Sequence, residues 1–286
     1  MLSFASGCIV ITGGGGLLGR GLALAFARRG ASVVVADVNG AAAQAVAAEA
    51  AAVPGARALA VTADVTDRAS MDALAETACD AFGAVRVLCN NAGVAVLRPF
   101  AELTPQDWTR VLDIQLWGVL NGTYAFLPRL IAQPERSHII NTSSMSGVGR
   151  ADLRTGNAPY VTAKFAVTGL SEVMRPALAE HNIGVSVLCP GFTRADPASV
   201  TSFPLPSADW YRDNLLSPDQ VAQETITGIM EDRLHIFPHR AGRQEVTDRH
   251  DLLLQGFEAA ALTSPALTSP PLTSPALTSP APGRRS

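Results

Sequence analysis

The sequence predicts an α/β fold: one doubly wound parallel sheet with helices on both faces, in a single domain that ends in a disordered tail. Three observations lead there. Short β-branched runs alternate with longer Ala/Leu-rich amphipathic stretches, the order expected of βαβ units. Several short runs are apolar throughout rather than at every second residue, as strands buried on both faces are. The chain has 286 residues, 48% of them hydrophobic, enough to bury a core without disulfides or metal.

Taken in order, strands are expected near Cys8–Thr12, Ser32–Asp37, Ala58–Thr62, Val85–Cys89, His138–Thr142, Gly184–Cys189 and Leu234–Phe237. Helices fit Leu18–Arg29, Ala41–Ala52, Arg68–Phe82, Pro105–Ala132, Pro159–Glu180 and Pro218–Asp232. Two regions break the alternation. Residues 192–217 carry several prolines, Trp210 and Tyr211 without a period, and follow a strand's carboxyl end, where α/β folds place ligands. They are expected to form a loop over substrate. Residues 261–280 are four near-identical pentapeptides of the form A/P-L-T-S-P. Proline at every fifth residue forbids helix, so 261–286 reads as a disordered tail outside the domain of residues 1–260.

Composition narrows the function classes. A net charge of −3 with no basic tract argues against nucleic acid or an anionic membrane as partner. No apolar run is long enough to span a bilayer, and no signal segment is evident, which points to the cytoplasm. The four cysteines are scattered, three of them in apolar runs, and read as buried free thiols rather than metal ligands. Among 22 basic residues only Lys164 is lysine, which marks it for a role needing a compact ammonium.

Two clusters carry chemistry. The first strand runs into Gly13-Gly14-Gly15-Gly16-Leu17-Leu18-Gly19 and then a helix. Glycines let the backbone approach a pyrophosphate, and the helix start offers free N–H groups. The second strand ends in Asp37, an acid suited to adenine-ribose hydroxyls and repelling a 2′-phosphate, so NAD is expected rather than NADP. The second cluster is Tyr160-Val-Thr-Ala-Lys164, whose spacing of four puts both side chains on one helix face. An ammonium beside a phenol favours the phenolate, making a proton donor and acceptor for a carbonyl or hydroxyl. Upstream, Asn141-Thr142-Ser143-Ser144 ends another strand, and a serine hydroxyl there can bond the reacting oxygen.

With Asp64-Val65 after the third strand, Asn90-Asn91-Ala92-Gly93 after the fourth and Pro190-Gly191-Phe192-Thr193 after the sixth, these motifs resemble the short-chain dehydrogenase/reductases, specifically their compact single-domain branch. The resemblance covers about residues 5–240 and implies a Rossmann-type NAD-linked oxidoreductase that interconverts a secondary alcohol and a ketone. It implies that Gly13, Gly16, Leu18 and Gly19 cradle phosphate and that Asp64 and Val65 hold the adenine. Asn91, with Ala92 and Gly93, would border the adenosine ribose, and Thr193, after Pro190 and Gly191, would meet the carboxamide. Ser144 would polarise the substrate oxygen, Tyr160 exchange the proton, and Lys164 bind the nicotinamide ribose and assist the tyrosine. It also implies a homodimer or homotetramer built through the helices around 105–131 and 159–180.

Three departures from the family pattern stand out. Leu17 occupies a position where the compact branch has glycine, and glycines 13, 16 and 19 match the extended branch's spacing instead. The Ser144–Tyr160 separation is three residues longer than usual, the extra residues falling within 147–157. Gln115 stands where the family's fourth catalytic residue, an asparagine supporting a proton-relay water, is expected. The apolar and aromatic residues of 205–216, with Phe192 and Phe203, point to a hydrophobic substrate, and the Phe126–Leu130 and Phe237–Arg240 stretches resemble members acting on bulky aryl or alicyclic alcohols. Two other functions fit parts of the pattern. Gln115 and the altered loop fit a catalytically weak dinucleotide-binding scaffold or redox sensor. The glycine spacing fits an extended-branch epimerase or dehydratase, but little chain follows Gly191 for a substrate domain.

Overall fold

In the computed structural model, the structure describes residues 4, 6–151, 156–193, 215–238 and 242–261. Seven strands form one parallel sheet in the order β3-β2-β1-β4-β5-β6-β7: β1 (Cys8–Thr12), β2 (Ser32–Asp37), β3 (Ala58–Thr62), β4 (Val85–Asn90), β5 (Ser137–Thr142), β6 (Ile183–Leu188) and β7 (His235–Ile236). The strand order reverses between β1 and β4, which opens a crevice at their carboxyl ends, the usual ligand position in a doubly wound sheet.

Alternate residues of each strand feed two cores. Ile9, Ile11, Val33 and Val35 pack under α1 (Leu17–Ala27), α2 (Gly40–Ala51) and a later helix, Pro218–Met230. Val10, Val34, Leu88 and Ile139 pack under α3 (Arg68–Phe82), a helix over Gly118–Ala132 and another over Ala158–Ala179. Phe26 and Phe126 anchor the two sides with no exposed surface. Phe126 is therefore a core residue, its side chain filling the sheet–helix interface.

The expected helix 105–132 is not continuous. It runs as α4 (Pro105–Leu112), a π-helical turn (Asp113–Trp117) and α5 (Gly118–Ala132). A π-turn adds one residue to a helical turn and shifts the face that follows, a feature that a periodic apolar pattern does not reveal. The remaining helices are α6 (Ala158–Ala179), α7 (Pro218–Met230) and α8 (Arg243–Ala261), the last not anticipated from sequence. The chain divides into a compact unit, Met1–Asp248, and a second, Arg249–Ser286, whose described part is the remainder of α8. Residues 194–214 of the expected substrate loop and 262–286 of the expected tail lie outside the described residues. Among the described residues no helix is long and apolar enough to cross a membrane, and no group of His, Cys, Asp and Glu is arranged to hold a metal. All four cysteines are free, three of them buried.

One buried histidine ties β5 to β6. His138 Nε2 lies 2.8 Å from Ser186 Oγ, and Ser186 in turn donates to the Arg233 carbonyl, so the Nε2–H form of the ring is the one this contact selects. Burial pushes the imidazole down from 6.5 to about 3. The unfolded chain takes up a proton as pH falls below about 6.5 while the folded chain does not, so stability is lost between those values. Wild-type unfolding free energy should fall by up to about 1.4 kcal/mol per pH unit over this window from this residue. Denaturant melts between pH 6.5 and 4 should show a shallower slope for His138→Gln; equal slopes would exclude His138 as the source.

Candidate active site

The crevice floor is built by stapling the first loop to the end of β4. Thr12 Oγ1 accepts the Asn91 N–H at 3.0 Å and the Ala92 N–H at 3.2 Å, while Asn91 Nδ2 donates to the Thr12 carbonyl at 3.0 Å. Gly13 adopts φ +62°, and a Cβ there would fall 2.7 Å from Ala92 Cα. A Cβ at Gly19 would lie 2.2 Å from the Gly13 carbonyl oxygen, so α1 rests directly on the loop. Protein packing thus demands glycine at 13 and 19. At Gly16, which caps α1, only the Gly13 carbonyl oxygen comes near, 3.3 Å from where a Cβ would sit, so packing alone does not account for glycine there. Leu17 opens the helix and is largely exposed, and Leu18 follows it half-buried. The loop therefore closes without glycine at 17.

At the end of β2, Asp37 Oδ2 accepts the Gly15 N–H at 3.0 Å and Oδ1 the Asn39 N–H at 2.9 Å. These bonds aim the carboxylate along the glycine loop. After β3, Asp64 Oδ1 accepts the Thr66 amide and hydroxyl, and the Val65 carbonyl accepts Asn121 Nδ2 at 2.9 Å. Asn121 of α5 was not legible as a site residue; it reaches Val65 because Gly118, a turn earlier, lets α5 approach the Val65 side chain.

At the reaction end the residues after β5 divide their work. Lys164, with 3% of its surface exposed, donates from Nζ to the Thr142 carbonyl at 2.7 Å. Ser143 Oγ donates to the Lys164 carbonyl at 2.9 Å and meets Thr168 Oγ1 at 2.8 Å. Thr142 and Ser143 therefore grip the lysine, leaving Ser144 to face the crevice. Ser144 Oγ accepts the Ser146 N–H at 3.1 Å and donates to the Pro190 carbonyl at 3.5 Å. Lys164 Nζ sits 5.3 Å from the centre of the half-buried Tyr160 ring. Burial pulls the Lys164 ammonium down from 10.5 to about 7. The neighbouring Cys189 thiol is itself pushed up to about 12 by burial, so near neutrality it offers no counter-charge.

Gln115 lies in the π-turn and is 1% exposed. Its Nε2 donates to the Val94 carbonyl at 2.7 Å, and its amide lies against Gly93, where a Cβ would meet Oε1 at 2.8 Å. Oε1 is buried with no hydrogen-bond partner among the described residues. The extra methylene of glutamine is accommodated by a π-turn on one side and a glycine on the other. After β6, Thr193 pairs in parallel with Leu216, and the Phe192 carbonyl accepts the Leu216 N–H at 2.9 Å. Residues on either side of the 194–214 segment are thus joined beside Pro190 and Gly191.

Every site residue expected from sequence lies at the carboxyl end of the sheet, on the loops after β1, β2, β3, β4, β5 and β6 or on the helices facing them. The donor set suits a dinucleotide: a glycine loop at a helix start, an oriented acid at the end of β2, and a buried ammonium beside a phenol.

Comparison with known proteins agrees. Residues 7–202 match the short chain dehydrogenase family. The chain is 36% identical over 246 residues to a 1-deoxy-11-beta-hydroxypentalenate dehydrogenase of Streptomyces exfoliatus, covering 85% of this chain and 86% of that one. A short chain dehydrogenase/reductase from Burkholderia phymatum, solved in complex with NAD, superposes with a TM-score of 0.78 at 32% identity, over 89% of this chain and 97% of that one. LigO from Sphingobium sp. strain SYK-6, in its apo form, gives 0.79 at 27% identity over 91% and 92%. The chain belongs to the short-chain dehydrogenase/reductase family of nicotinamide-dinucleotide-binding oxidoreductases.

Proposed function

We propose that the protein is an NAD-dependent alcohol dehydrogenase or ketoreductase that interconverts a hydrophobic secondary alcohol and its ketone, with Tyr160 exchanging the proton. The observation that carries this reading is the buried Lys164 beside Tyr160, gripped by the strand end that presents Ser144. The nicotinamide supplies the hydride chemistry.

The chain's own residues do the rest. Ser144 Oγ accepts the Ser146 N–H and donates to the Pro190 carbonyl only at 3.5 Å, a long bond that a substrate oxygen would replace. Tyr160 gives its proton to that oxygen in reduction and takes it back in oxidation. The Lys164 ammonium favours the phenolate, and the anionic phosphates of a bound dinucleotide favour the ammonium in turn. Gly13, Gly16, Leu18 and Gly19 would receive the pyrophosphate; Asp37 the adenosine ribose; Asp64, Val65, Asn91, Ala92 and Gly93 the adenosine; and Pro190, Gly191 and Thr193 the carboxamide end. Gln115, pinned to Val94, holds the loop after β4 from beneath and keeps a buried acceptor beside it. A relay water bound there would restore the role of the family's asparagine.

The exposed Leu97 and Phe100 follow that same loop, and Arg98 between them donates its N–H to the Gly156 carbonyl at 2.7 Å, four residues before Tyr160. An apolar lip of this kind suits a hydrophobic substrate. Trp117, Tyr124, Ile131 and Val173 are exposed on the π-turn, α5 and α6, a surface suited to pairing copies as a homodimer or homotetramer. A cytoplasmic protein without nucleic-acid or membrane partners completes the reading.

Three experiments test it. Purified protein with NADH and a panel of aryl and alicyclic ketones should oxidise NADH in a single turnover, and Tyr160→Phe should slow this by about 10²-fold or more. Cofactor binding with no turnover of any panel member would favour the scaffold reading. Calorimetric titration should show tighter binding of NAD than NADP, and Asp37→Ala should weaken NAD by about tenfold and erase the preference; an unchanged preference would remove Asp37 from the discrimination. Thirdly, with Lys164 near 7 when folded and 10.5 when unfolded, the cost of burying its charge is full below pH 7 and is relieved as pH rises to about 10. Cofactor-free Lys164→Met should therefore melt above wild type at pH 6 by a margin that shrinks towards pH 10. A margin independent of pH would contradict the assignment.

A further inference from the structure

The turn that follows Ser144 is joined to the first turn of α8 by two close contacts made at glycines. A Cβ at Gly242 would come within 2.1 Å of Met145 Cε, and one at Gly149 within 2.9 Å of Glu245 Oε2 and 3.2 Å of Glu245 Cβ. Met145 is buried and Glu245 half-buried. The turn so engaged is the one that aims Ser144. The Ser146 N–H donates to Ser144 Oγ, the Gly147 N–H to the Ser144 carbonyl at 2.8 Å, and the Gly149 N–H to the Met145 carbonyl at 2.9 Å. Its inner side is fixed by the sheet and α6: the Met145 N–H donates to the Pro190 carbonyl at 3.0 Å, and a Cβ at Gly147 would sit 2.6 Å from the Lys164 carbonyl oxygen. Gly149 belongs to the stretch by which the Ser144–Tyr160 separation is lengthened. The longer connection therefore presents a glycine to an acid from outside the sheet and its covering helices.

We propose that Glu245 is a positioning residue for Ser144. Seated on Gly149, it closes the outer side of the Met145–Gly149 turn. The Ser146 N–H then stays on Ser144 Oγ, and the hydroxyl stays placed to exchange its 3.5 Å bond to the Pro190 carbonyl for one to the substrate oxygen. The proposal rests on the reading of Ser144 as the group that polarises that oxygen. Misplacing a polarising hydroxyl slows the chemical step without touching the dinucleotide, whose pyrophosphate and adenosine contacts lie across the crevice on the loops after β1 to β4.

The test is a double-mutant cycle on the full chain, with hydride transfer followed in a single turnover of the best panel substrate. Glu245→Ala should slow transfer about tenfold when Ser144 is present and leave the rate of Ser144→Ala unchanged, because residues acting through one another are non-additive. The NAD dissociation constant should move by less than about twofold, and Glu245→Gln, which keeps the shape of the contact, should stay near wild type. A second readout needs no turnover: amide exchange at Gly147, Val148 and Gly149 should quicken about tenfold in Glu245→Ala as the turn loosens. Gly149→Ala, whose methyl displaces Glu245, should reproduce both effects and serves if Glu245→Ala fails to melt cooperatively. An equal slowing in both serine backgrounds, or unchanged exchange in both variants, would overturn the proposal. A wild type that binds NAD yet turns over no substrate would strike the proposed function alone, and the exchange measurement would still decide the role of Glu245.

Discussion

The arrangement depends on one buried ammonium. Lys164 is almost fully withdrawn from water, and charge in that position is tolerated only where hydrogen bonds replace the lost hydration. The end of β5 supplies one of them, the Thr142 carbonyl taking Nζ, while the Ser143 hydroxyl holds the lysine's backbone carbonyl and so fixes the helix. Because α6 is tied to β5 in this way, Tyr160, one helical turn earlier, is carried to the same strand end as Ser144. The incomplete balance is visible in the depressed ammonium, which burial pulls to about 7. A lysine so poised responds strongly to nearby negative charge, which is the property a proton-handling site needs.

Beneath the lysine, a chain of buried amides and hydroxyls sets the distance between the strands that carry the site. Asn90 Nδ2 donates to Asn141 Oδ1 at 2.9 Å, and Asn141 Nδ2 to Ser171 Oγ at 3.0 Å, linking β4, β5 and α6. Gly122 allows α5 to close over Asn90, and Gly93 allows Gln115 to lie on the β4 loop. The amide donors of this network are all engaged, whereas Asn90 Oδ1 is buried without a partner among the described residues, so the Nδ2 bonds are what hold the strands in register. The dinucleotide end is fixed by different means. There the Thr12–Asn91 staple and the glycine packing hold backbone against backbone, with few side chains involved.

The glycines therefore carry two distinct meanings. Those at 13 and 19 are required by the protein's own atoms, whereas the one at 16 is not, and no spacing rule separates the two cases. Likewise the Asn-Thr-Ser-Ser run reads as one motif but performs three tasks: core bridging at Asn141, anchoring of lysine at Thr142 and Ser143, and presentation of a hydroxyl at Ser144. The departure at 115 has a structural counterpart in the π-turn, which gives the longer amide room while keeping it on the loop after β4.

Local chemistry alone was enough to determine the sheet, its parallel sense and the placing of Tyr160 beside Lys164. Apolar β-branched runs alternating with amphipathic stretches admit few other folds, and a tyrosine and the chain's sole lysine four residues apart must share a helix face. Asp37 and the glycine loop were legible for the same reason, since strand, turn and helix follow one another in the chain. What depended on contacts between distant segments was not legible. The π-turn at 113–117 preserves an apolar pattern that reads as unbroken helix, and Asn121 reaches Val65 only because α5 closes on the β3 loop. The seat of Glu245 on Gly149 joins residues nearly a hundred positions apart. Periodicity and spacing report what neighbours along the chain do; which surfaces meet is decided by packing, and the finer placement of this site lies there.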